Sequence, residues 1–298
     1  MNLVDINTLF STEDKCRELL VRLRFPEGPR CLRCKMPVVE LETEKQLFYC
    51  KDCDYQFSVT SGSVFNDSHL PLQKWFLATH LLCEAKKGMS ACQIQRTIGI
   101  GSYKTAWYLC HRIRHAMAQT EKPMLDGKVE MDETYIGGRL RGVGKGSHSS
   151  KKARVIGIRQ RGGELRFFHA KDAKSGTLAK YIQQNISQDV EVMFTDDFIA
   201  YPKALIKSKI DGHRHKTIAH SHKIYVDGDI HTNTVESAFS LLKRGVVGTW
   251  HRISAKHLAS YLEEMTFRFN RRKRPDLFID TLRHMVTASV LTFEKLTA

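Results

Sequence analysis

The stretch from His231 to His251 predicts a helix that carries a carboxylate and a cation on one face. Glu236, Ser240 and Lys243 are spaced i, i+4 and i+7, so they project from the same side of a helix. Apolar residues with the same spacing would pack the neighbouring face onto a core: Val235, Phe239 and Leu242. Glu236 is therefore expected on a rigid element, as a metal-binding carboxylate has to be.

Two aspartates far upstream are expected on strands. Asp132 lies in 129–138, VEMDETYIGG, and Asp196 lies in 191–198, EVMFTDDF, near the end of the predicted strand. Open α/β sheets place their sites at such strand ends. Together with Glu236, these acids would offer Mg²⁺ the oxygen ligands that it prefers. Two such ions about 4 Å apart can activate a hydroxyl on one side of a phosphate and stabilise the leaving oxygen on the other.

The residues alone leave this ligand set open. Glu133 follows Asp132 and Asp197 follows Asp196, and strand alternation puts only one member of each pair on the site face. The Asn-x-x-Glu pattern that begins at Asn233 is also an ordinary helix capping box. A metal site and a purely structural helix start are both compatible with the spacing.

A second metal site is predicted near the N-terminus. Two Cys-x-x-Cys pairs separated by fifteen residues are typical of one structural, four-thiolate Zn²⁺ site: Cys31, Cys34, Cys50 and Cys53. The alternating segment between them predicts a zinc ribbon, whose metal would contribute on the order of 10 kcal/mol to folding. Two disulfides are the weaker alternative in a chain expected to be cytosolic. Whether the ribbon binds DNA or only scaffolds its neighbours stays open.

Composition favours a folded protein with a polyanionic partner. The 298 residues are 42% hydrophobic and carry a net charge of +15, which favours nucleic acid over a merely basic protein without such a partner. No run of 18 apolar residues and no secretory start are present, so we expect a cytoplasmic protein that does not bind membranes.

Residues 68–120 predict a helix-turn-helix region. Ser90 and Ser102 can cap two helices on either side of the turn 99–101. The second helix would contact DNA through Tyr103, Lys104 and Arg112, whereas a helical hairpin that binds nothing is the alternative. The same helix carries His111 and His115, which are expected in solvent or facing phosphate.

A basic loop is predicted directly after the Asp132 strand. Residues 134–163 contain eight Lys or Arg and no acid, and their middle is rich in Gly and Ser. We expect this loop to become ordered on DNA, although a solubilising loop is the alternative. Its candidate DNA contacts are Arg141, Lys145, Lys151 and Lys152.

The second half of the chain predicts an α/β fold. Three strands, a helix, a strand and a helix follow one another, which is the order of the ribonuclease H-like fold. That fold carries acids on its first strand, at the end of its fourth strand and on a later helix. The expected domains are 1–66 (first helix and zinc ribbon), 67–122 (helical DNA-binding region), 123–275 (ribonuclease H-like catalytic domain) and 276–298 (C-terminal helical tail).

Several motifs resemble one known family. They are VEMDETYIGG, FTDDFIAY, HTNTVESAFSLLKRGVVGTWHRIS and HLASYLEEMTFRFNRR. These segments resemble the insertion-sequence DDE transposases of the ISXO-type group, which also carry an N-terminal zinc ribbon like CLRCK…YCKDC and a following SGSVF. The resemblance covers residues 10–275, with Phe25 and Leu32 replacing the family's usual Trp and Pro around the ribbon.

The resemblance implies a catalytic site and a reaction. The family's metal-binding carboxylates match Asp132, Asp196 and Glu236, which would hold two Mg²⁺ or Mn²⁺ ions. A downstream Lys matches Lys243, and Asn233 matches an Asn on which some members rely. The reaction would be phosphodiester hydrolysis at the terminal inverted repeats of an element, followed by joining of the 3′-hydroxyls to target DNA.

The resemblance also implies partners. Further contacts to the DNA backbone would come from cationic residues after the Glu236 helix: Arg244, His251 and Arg252. Two element ends have to be held together, so a homodimer or larger assembly is expected on DNA in the bacterial nucleoid. The alternatives are a catalytically silent DNA-binding protein derived from a transposase and a ribonuclease H-like nuclease.

Overall fold

The computed structural model describes residues 1–41, 46–118, 122–137, 152–218 and 228–298. The chain divides into two compact units. The first contains Met1–Thr120 together with Arg271–Ala298, and the second contains Glu121–Asn270. The C-terminal residues therefore fold with the N-terminal ones. Within the described ranges, no helix combines the length and apolar character needed to cross a membrane.

The helices of the described residues are distributed over both units. They are α1 (Leu3–Leu9), α2 (Glu13–Arg24), α3 (Leu72–Glu84), α4 (Ala91–Ile98), α5 (Tyr103–Ala118), α6 (Ser175–Asn185), α7 (Ala200–Ser208), α8 (Asn233–Gly245), α9 (Ala255–Arg271), α10 (Leu277–Thr287) and α11 (Phe293–Thr297). A 3₁₀ turn spans Gly212–Arg214, and a π-helical turn, Val246–Trp250, continues α8.

The strands of the described ranges form one sheet in each unit. They are β1 (Val39–Glu40), β2 (Phe48–Cys50), β3 (Tyr55–Phe57), β4 (Lys128–Ile136), β5 (Ala153–Gln160), β6 (Leu165–Ala170), β7 (Val192–Asp196) and β8 (His215–Ile218). The small sheet has the order β1-β2-β3 with antiparallel neighbours, and the large sheet has the order β6-β5-β4-β7-β8.

The predicted helix-turn-helix layout is present in the first unit. The side chain of Ser90 accepts a hydrogen bond from the N–H of Gln93 (3.2 Å), and that of Ser102 accepts one from Thr105 (3.1 Å). Between the two helices Gly99 has a φ of +65°, a left-handed conformation that favours glycine. Capping by serine and a glycine stop thus delimit α4 and α5 as the sequence predicted.

The core of the first unit is completed by its C-terminal helix. α10 packs against α2, α3 and α5. The ring of Phe278 on α10 lies 5.9 Å from the ring of Phe76 and 6.3 Å from that of Phe10, measured between centroids. Thr281 on the same helix hydrogen-bonds Cys83 of α3 across 3.2 Å. Residues nearly 200 positions apart in sequence therefore share one core.

The second unit has the predicted ribonuclease H-like topology. β4 pairs with β5 and β5 with β6 in antiparallel fashion, whereas β4 pairs with β7 and β7 with β8 in parallel. A hairpin through Arg161 and Gly162 joins β5 to β6, as the sequence predicted. This connectivity makes neighbours of β4, which carries Asp132 in its middle, and β7, which carries Asp196 at its end.

Each face of this sheet packs against its own layer of helices. One apolar cluster joins α6 and α7 to Val129 and Met131 of β4. The other joins α8 and α9 to Ile136 of β4 and Val155 of β5. Successive residues of a strand point to opposite faces, so the parity of a position decides which helices it meets.

Candidate active site

Strand alternation decides between Asp132 and Glu133. Asp132 has the parity of Ile136, which packs in the α8 cluster, and Glu133 has the parity of Met131, which packs in the α7 cluster. In agreement, Glu133 accepts a hydrogen bond from the hydroxyl of Tyr201 on α7 (2.6 Å). Asp132 is therefore the acid of this pair that shares a sheet face with the helix carrying Glu236.

Asp196 is the last residue of β7, on the strand parallel to β4. The register pairs Glu130 with Phe194, and continuing it by two residues places Asp132 beside Asp196. Strand neighbours lie about 4.8 Å apart, and residues paired in this way point to the same face. The N–H of Phe198 donates to Asp196 Oδ1 (3.2 Å), while Asp197 is exposed beyond the strand.

The third acid lies in the first turn of α8. Glu236 is half-buried, and its Oε1 accepts a hydrogen bond from the hydroxyl of Thr232 (2.7 Å). Thr232 is the N-cap residue, so Asn233 is the first residue inside the helix and does not form the capping box that the sequence left open. Asn233 is exposed at this end of the helix.

The three carboxylates influence one another electrostatically. The pKa of Asp132 is raised to about 8, mainly by burial and then by the charge of Glu133. The charges of Asp196 and Glu236 contribute to this rise, and a hydrogen bond from the Glu133 N–H opposes it. Burial also raises the pKa of Glu133. A cluster of acids that resists full ionisation suits divalent cations, because positive charge relieves the repulsion. The oxygen donors present fit the Mg²⁺ or Mn²⁺ that the sequence implied.

A buried glutamate that the sequence analysis did not single out lies two residues before Asp132. Glu130 is fully buried and accepts hydrogen bonds from the backbone N–H groups of Thr234 (2.9 Å) and Val235 (3.0 Å) in the first turn of α8. Its other oxygen pairs with Nε of Arg161 (2.7 Å) and lies 3.3 Å from Nδ1 of His231. The signal in the sequence is an acid inside an otherwise buried strand.

The four predicted zinc ligands come together in the ribbon. Their sulfur atoms all lie within 4.8 Å of one another, with Cys31 and Cys53 3.5 Å apart and Cys34 and Cys50 3.4 Å apart. A tetrahedral site with Zn–S bonds of about 2.3 Å needs sulfur separations of about 3.8 Å. The cysteine cluster and the ribbon around it therefore fit one structural Zn²⁺.

The ribbon has an aromatic core that includes one of the sequence's departures from the family. The ring of Phe48 lies 5.9 Å from that of Phe25 and 5.5 Å from that of Phe57, measured between centroids. Phe25 therefore packs against the ribbon in the place where the family resemblance suggested Trp.

Exposed cations lie at the end of α8 and directly after it. Lys243 and Arg244 are exposed in its last turn, and His251 and Arg252 are exposed after the π-helical turn. His251 has φ +57° and ψ −46°, and the N–H of Arg252 donates across it to the carbonyl of Trp250 (2.6 Å). This is the rare positive-φ γ-turn, a strained conformation of the kind found at functional sites.

The helix-turn-helix contributes fewer candidate DNA contacts than the sequence predicted. Tyr103 and Lys104 are exposed at the start of α5. Arg112, in contrast, is only 3% exposed, donates to the backbone carbonyl of Asn66 and lies 5.1 Å from the ring centroids of Trp75 and Tyr108. We therefore leave Arg112 out of the proposed DNA contacts.

Of the two histidines of α5, His111 contradicts the expectation of an exposed side chain. His111 is 1% exposed, and its ring lies 4.4 Å from that of Trp107, so it faces neither solvent nor phosphate. His115 is half-buried and hydrogen-bonds Ser289 across 3.2 Å. His111 therefore lies on the face of α5 that packs against the rest of the unit.

Most of the basic loop lies outside the described residues. Arg141, Lys145 and Lys151 belong to it, and their predicted DNA contacts stay predictions. Lys152, directly before β5, is half-buried, and its side chain packs near Gly137 at the end of β4.

Comparisons with known proteins identify a family for both regions of the chain. A family model described as ISXO2-like transposase domain matches residues 124–270, and one described as transposase zinc-ribbon domain matches residues 11–56. The chain is 30% identical over 278 residues to an uncharacterized protein in transposable element ISH50 of Halobacterium salinarum, covering 87% of this chain and 91% of that relative. These matches contain the three acids and the four cysteines, and they confirm the resemblance inferred from the sequence.

Proposed function

Because the chain belongs to the ISXO2-like transposase family, we propose that it is an active insertion-sequence transposase that cuts the ends of its own element and joins them to target DNA. The observation that carries this proposal is the convergence of Asp132, Asp196 and Glu236, from β4, β7 and α8, on one face of the sheet. The electrostatic coupling of Asp132 to the other two acids supports it.

Each acid would act as a ligand held on a rigid element. Asp132, Asp196 and Glu236 would hold two Mg²⁺ or Mn²⁺ ions, which activate the attacking water or 3′-hydroxyl and stabilise the leaving oxygen when bound. The hydrogen bond from the Thr232 hydroxyl to Oε1 would hold the Glu236 carboxylate in place at the start of α8.

Residues at the two ends of α8 would position the DNA. Lys243 is exposed in the last turn and would contact a phosphate near the break as a point charge. Asn233, exposed at the start of α8, would donate or accept a hydrogen bond beside the strand that is cut. Arg244, His251 and Arg252 would add contacts to the DNA backbone, and Tyr103 and Lys104 would contact DNA from the helix-turn-helix.

The DNA partners would be the terminal inverted repeats of the element and a target duplex in the nucleoid. A homodimer or larger assembly on DNA is proposed, because two ends have to be joined in one event. The basic loop residues Arg141, Lys145, Lys151 and Lys152 would contribute to DNA binding after the Asp132 strand.

A strand-transfer assay tests the proposal. Purified protein is mixed with labelled duplexes from the ends of its own element and a supercoiled plasmid, in Mg²⁺, Mn²⁺ or chelator. We expect metal-dependent joined product from the wild type and a loss of at least about 1,000-fold in Asp196→Asn, because the charge that holds the cation is removed. The matched control is Asp189→Asn, an exposed acid of the same unit, which should join normally.

The alternatives give different results in the same assay. End binding without joining by the wild type would indicate a catalytically silent DNA-binding protein. Cleavage of RNA–DNA hybrids or branched DNA without joining would indicate a nuclease on this fold. Equal joining by Asp196→Asn and the wild type would remove Asp196 from the site.

A further inference from the structure

Glu130 connects the strand of Asp132 to the helix of Glu236. We infer that Glu130, clamped by Arg161, is a positioning residue that sets the distance between these two acids. The inference rests on the proposed function, because it concerns the same metal site. Glu130 lies on β4 two residues before Asp132 and therefore points to the same face of the sheet.

The two oxygens of Glu130 have separate tasks. Oε2 accepts three hydrogen bonds from the start of α8: the N–H of Thr234 (2.9 Å), the hydroxyl of Thr234 (2.8 Å) and the N–H of Val235 (3.0 Å). The N-cap residue, Thr232, makes no side-chain cap bond of its own. A strand residue thus supplies the cap that a helix normally receives from its own sequence, and its negative charge complements the helix dipole.

Oε1 interacts with a second set of groups, Arg161 and His231. It accepts from Nε of Arg161 (2.7 Å) and lies 3.3 Å from Nδ1 of His231. Arg161 in turn donates to the carbonyls of His231 and Asp229, both at 2.9 Å, on the segment that leads into α8. Its guanidinium lies 4.1 Å from the ring centroid of Phe194, two residues before Asp196 on β7.

The network therefore touches every element that carries an acid of the site. Glu130 lies on β4, Phe194 on β7, and Thr234 and Val235 on α8. The backbone N–H of Arg161 also donates to the carbonyl of Lys128 on β4 (2.8 Å). Glu236 follows Val235 directly, so a change in how α8 begins moves its carboxylate relative to Asp132.

The geometry predicts that an amide cannot replace this carboxylate. Glutamine has one carbonyl oxygen and one NH₂ group, and both sides of Glu130 present donors. In Glu130→Gln the NH₂ group must face either Arg161 or the N–H groups of α8. The substitution therefore breaks the hydrogen bonds either with Arg161 or with the start of α8, while the shape and volume of the side chain are kept.

The test compares Glu130→Gln with a matched control in the full-length protein. Asp172→Asn is the control, because Asp172 also accepts hydrogen bonds beside the start of a helix. Its donors are the N–H of Lys174 (3.0 Å) and the hydroxyl of Thr177 (2.5 Å). This helix, α6, lies on the other face of the sheet from α8. Strand transfer is measured against Mg²⁺ concentration. Independently, Fe²⁺ with ascorbate and peroxide cleaves the polypeptide near bound metal and requires neither DNA nor turnover.

We expect Glu130→Gln to need at least about tenfold more Mg²⁺ for half-maximal joining, as for other residues that orient metal ligands. Fe²⁺-directed cleavage near 132, 196 and 236 should weaken, while Asp172→Asn should match the wild type in both assays. If Glu130→Gln does not fold, Thr234→Val removes one donor to the same oxygen and should raise the Mg²⁺ requirement by about twofold to threefold.

The outcomes separate this inference from the proposed function. A lower melting temperature with unchanged Mg²⁺ dependence and unchanged Fe²⁺ cleavage would make Glu130 a purely structural residue and overturn the inference. A folded wild type that never joins DNA would overturn the proposed function, while a change in Fe²⁺ cleavage between the wild type and Glu130→Gln would still support the positioning role.

Discussion

Asp132 combines a buried environment with several neighbouring negative charges. Burial, together with the charges of Glu133, Asp196 and Glu236, places its pKa at about 8 in the folded protein, against an ordinary value of 3.8. At neutral pH without a divalent cation the site therefore keeps a proton on this carboxyl. Metal binding has to displace that proton, so affinity for the cation should rise with pH.

The same shift predicts a pH dependence of stability. Between pH 3.8 and about 8 the folded state binds a proton that the unfolded state has lost, so the free energy of unfolding falls as pH rises through this window. Asp132→Asn removes the effect. The comparison uses Mg²⁺-free buffer that leaves zinc bound. As pH rises through this window, the free energy of unfolding of the variant should increase relative to that of the wild type by at most about 1.4 kcal/mol per pH unit.

Thermal unfolding from pH 5 to pH 9 measures this gain. Asp189→Asn, which changes an exposed acid, should follow the wild type over the whole range. Saturating Mg²⁺ should stabilise the wild type and leave Asp132→Asn unchanged. Parallel curves for wild type and Asp132→Asn would show that Asp132 is ionised in the folded protein.

At the residue scale, the sequence left two adjacent candidate acids on each strand. The sheet face that each residue shares with the helices separates Asp132 from Glu133, and this became visible only in the structure. Arg112 and His111 were placed at a surface because both are polar. Their burial depends on residues far along the chain, such as Asn66 for Arg112, which helical periodicity does not reveal.

At the scale of elements, one glycine allows α8 to approach the sheet. Gly157 of β5 pairs with Asp132 in the register, and a Cβ added to it would lie 2.7 Å from Cζ of Phe239 and 2.8 Å from Cγ2 of Val235. Gly157→Ala should therefore push α8 outward at the level of the site. We expect a loss of about 1–3 kcal/mol in the free energy of unfolding and a fall of about tenfold or more in strand transfer.

Gly176→Ala is the matched control for that substitution. Gly176 lies in α6, and a Cβ there meets nothing within 4 Å, so alanine should be neutral or slightly stabilising. Denaturant unfolding and strand transfer of both variants give the comparison. Wild-type activity in Gly157→Ala would mean that α8 can shift without moving Glu236.

The zinc ribbon is the element whose fold we expect to depend most on a metal. Its sheet consists of strands of two and three residues, so few side chains are available for burial. Cys50→Ser should abolish the one bound Zn²⁺ and expose residues 31–57 to protease, since structural zinc contributes on the order of 10 kcal/mol. Cys92→Ser, which alters an exposed cysteine of α4, should keep full zinc content.

Metal analysis and limited proteolysis of the two variants measure this effect. Loss of zinc should leave the β4–β8 sheet folded, because that sheet has its own apolar clusters on both faces. Retention of one zinc by Cys50→Ser would contradict the four-thiolate site.

The order of helices and strands was predictable from sequence, whereas the contacts that join distant elements were not. Strand alternation, the 161–163 turn and the serine caps are local signals, and each of them survived in the structure. The cap that Glu130 supplies to α8 joins residues more than 100 positions apart. The close approach at Gly157 depends equally on a non-local pairing, and a glycine inside a strand indicates such contacts only in general terms.

At the scale of the whole molecule, the relevant features are the placement of the C-terminal residues and the net charge. Residues 271–298 fold with the N-terminal unit, although the sequence presented them as a continuation of the catalytic segment and a tail. Apolar periodicity predicted their helices but not the helices against which they pack, because α10 packs on helices that are distant in sequence. The chain has a net charge of +15, whereas the proposed catalytic site is acidic. The cations that we propose to bind DNA therefore lie outside that site.

Salt dependence of DNA binding tests where those cations act. Each phosphate neutralised on duplex DNA contributes about 0.9 to the slope of log affinity against log salt. Lys243→Ala and Arg252→Ala should each lower that slope by about one and weaken binding equally on end and unrelated duplexes. Lys180→Ala removes an exposed cation from α6, on the other face of the sheet, and should leave the slope unchanged. Equal slopes for the wild type and the three variants would mean that DNA does not contact the end of α8. A slope change confined to end duplexes would mean that Lys243 or Arg252 recognises specific bases.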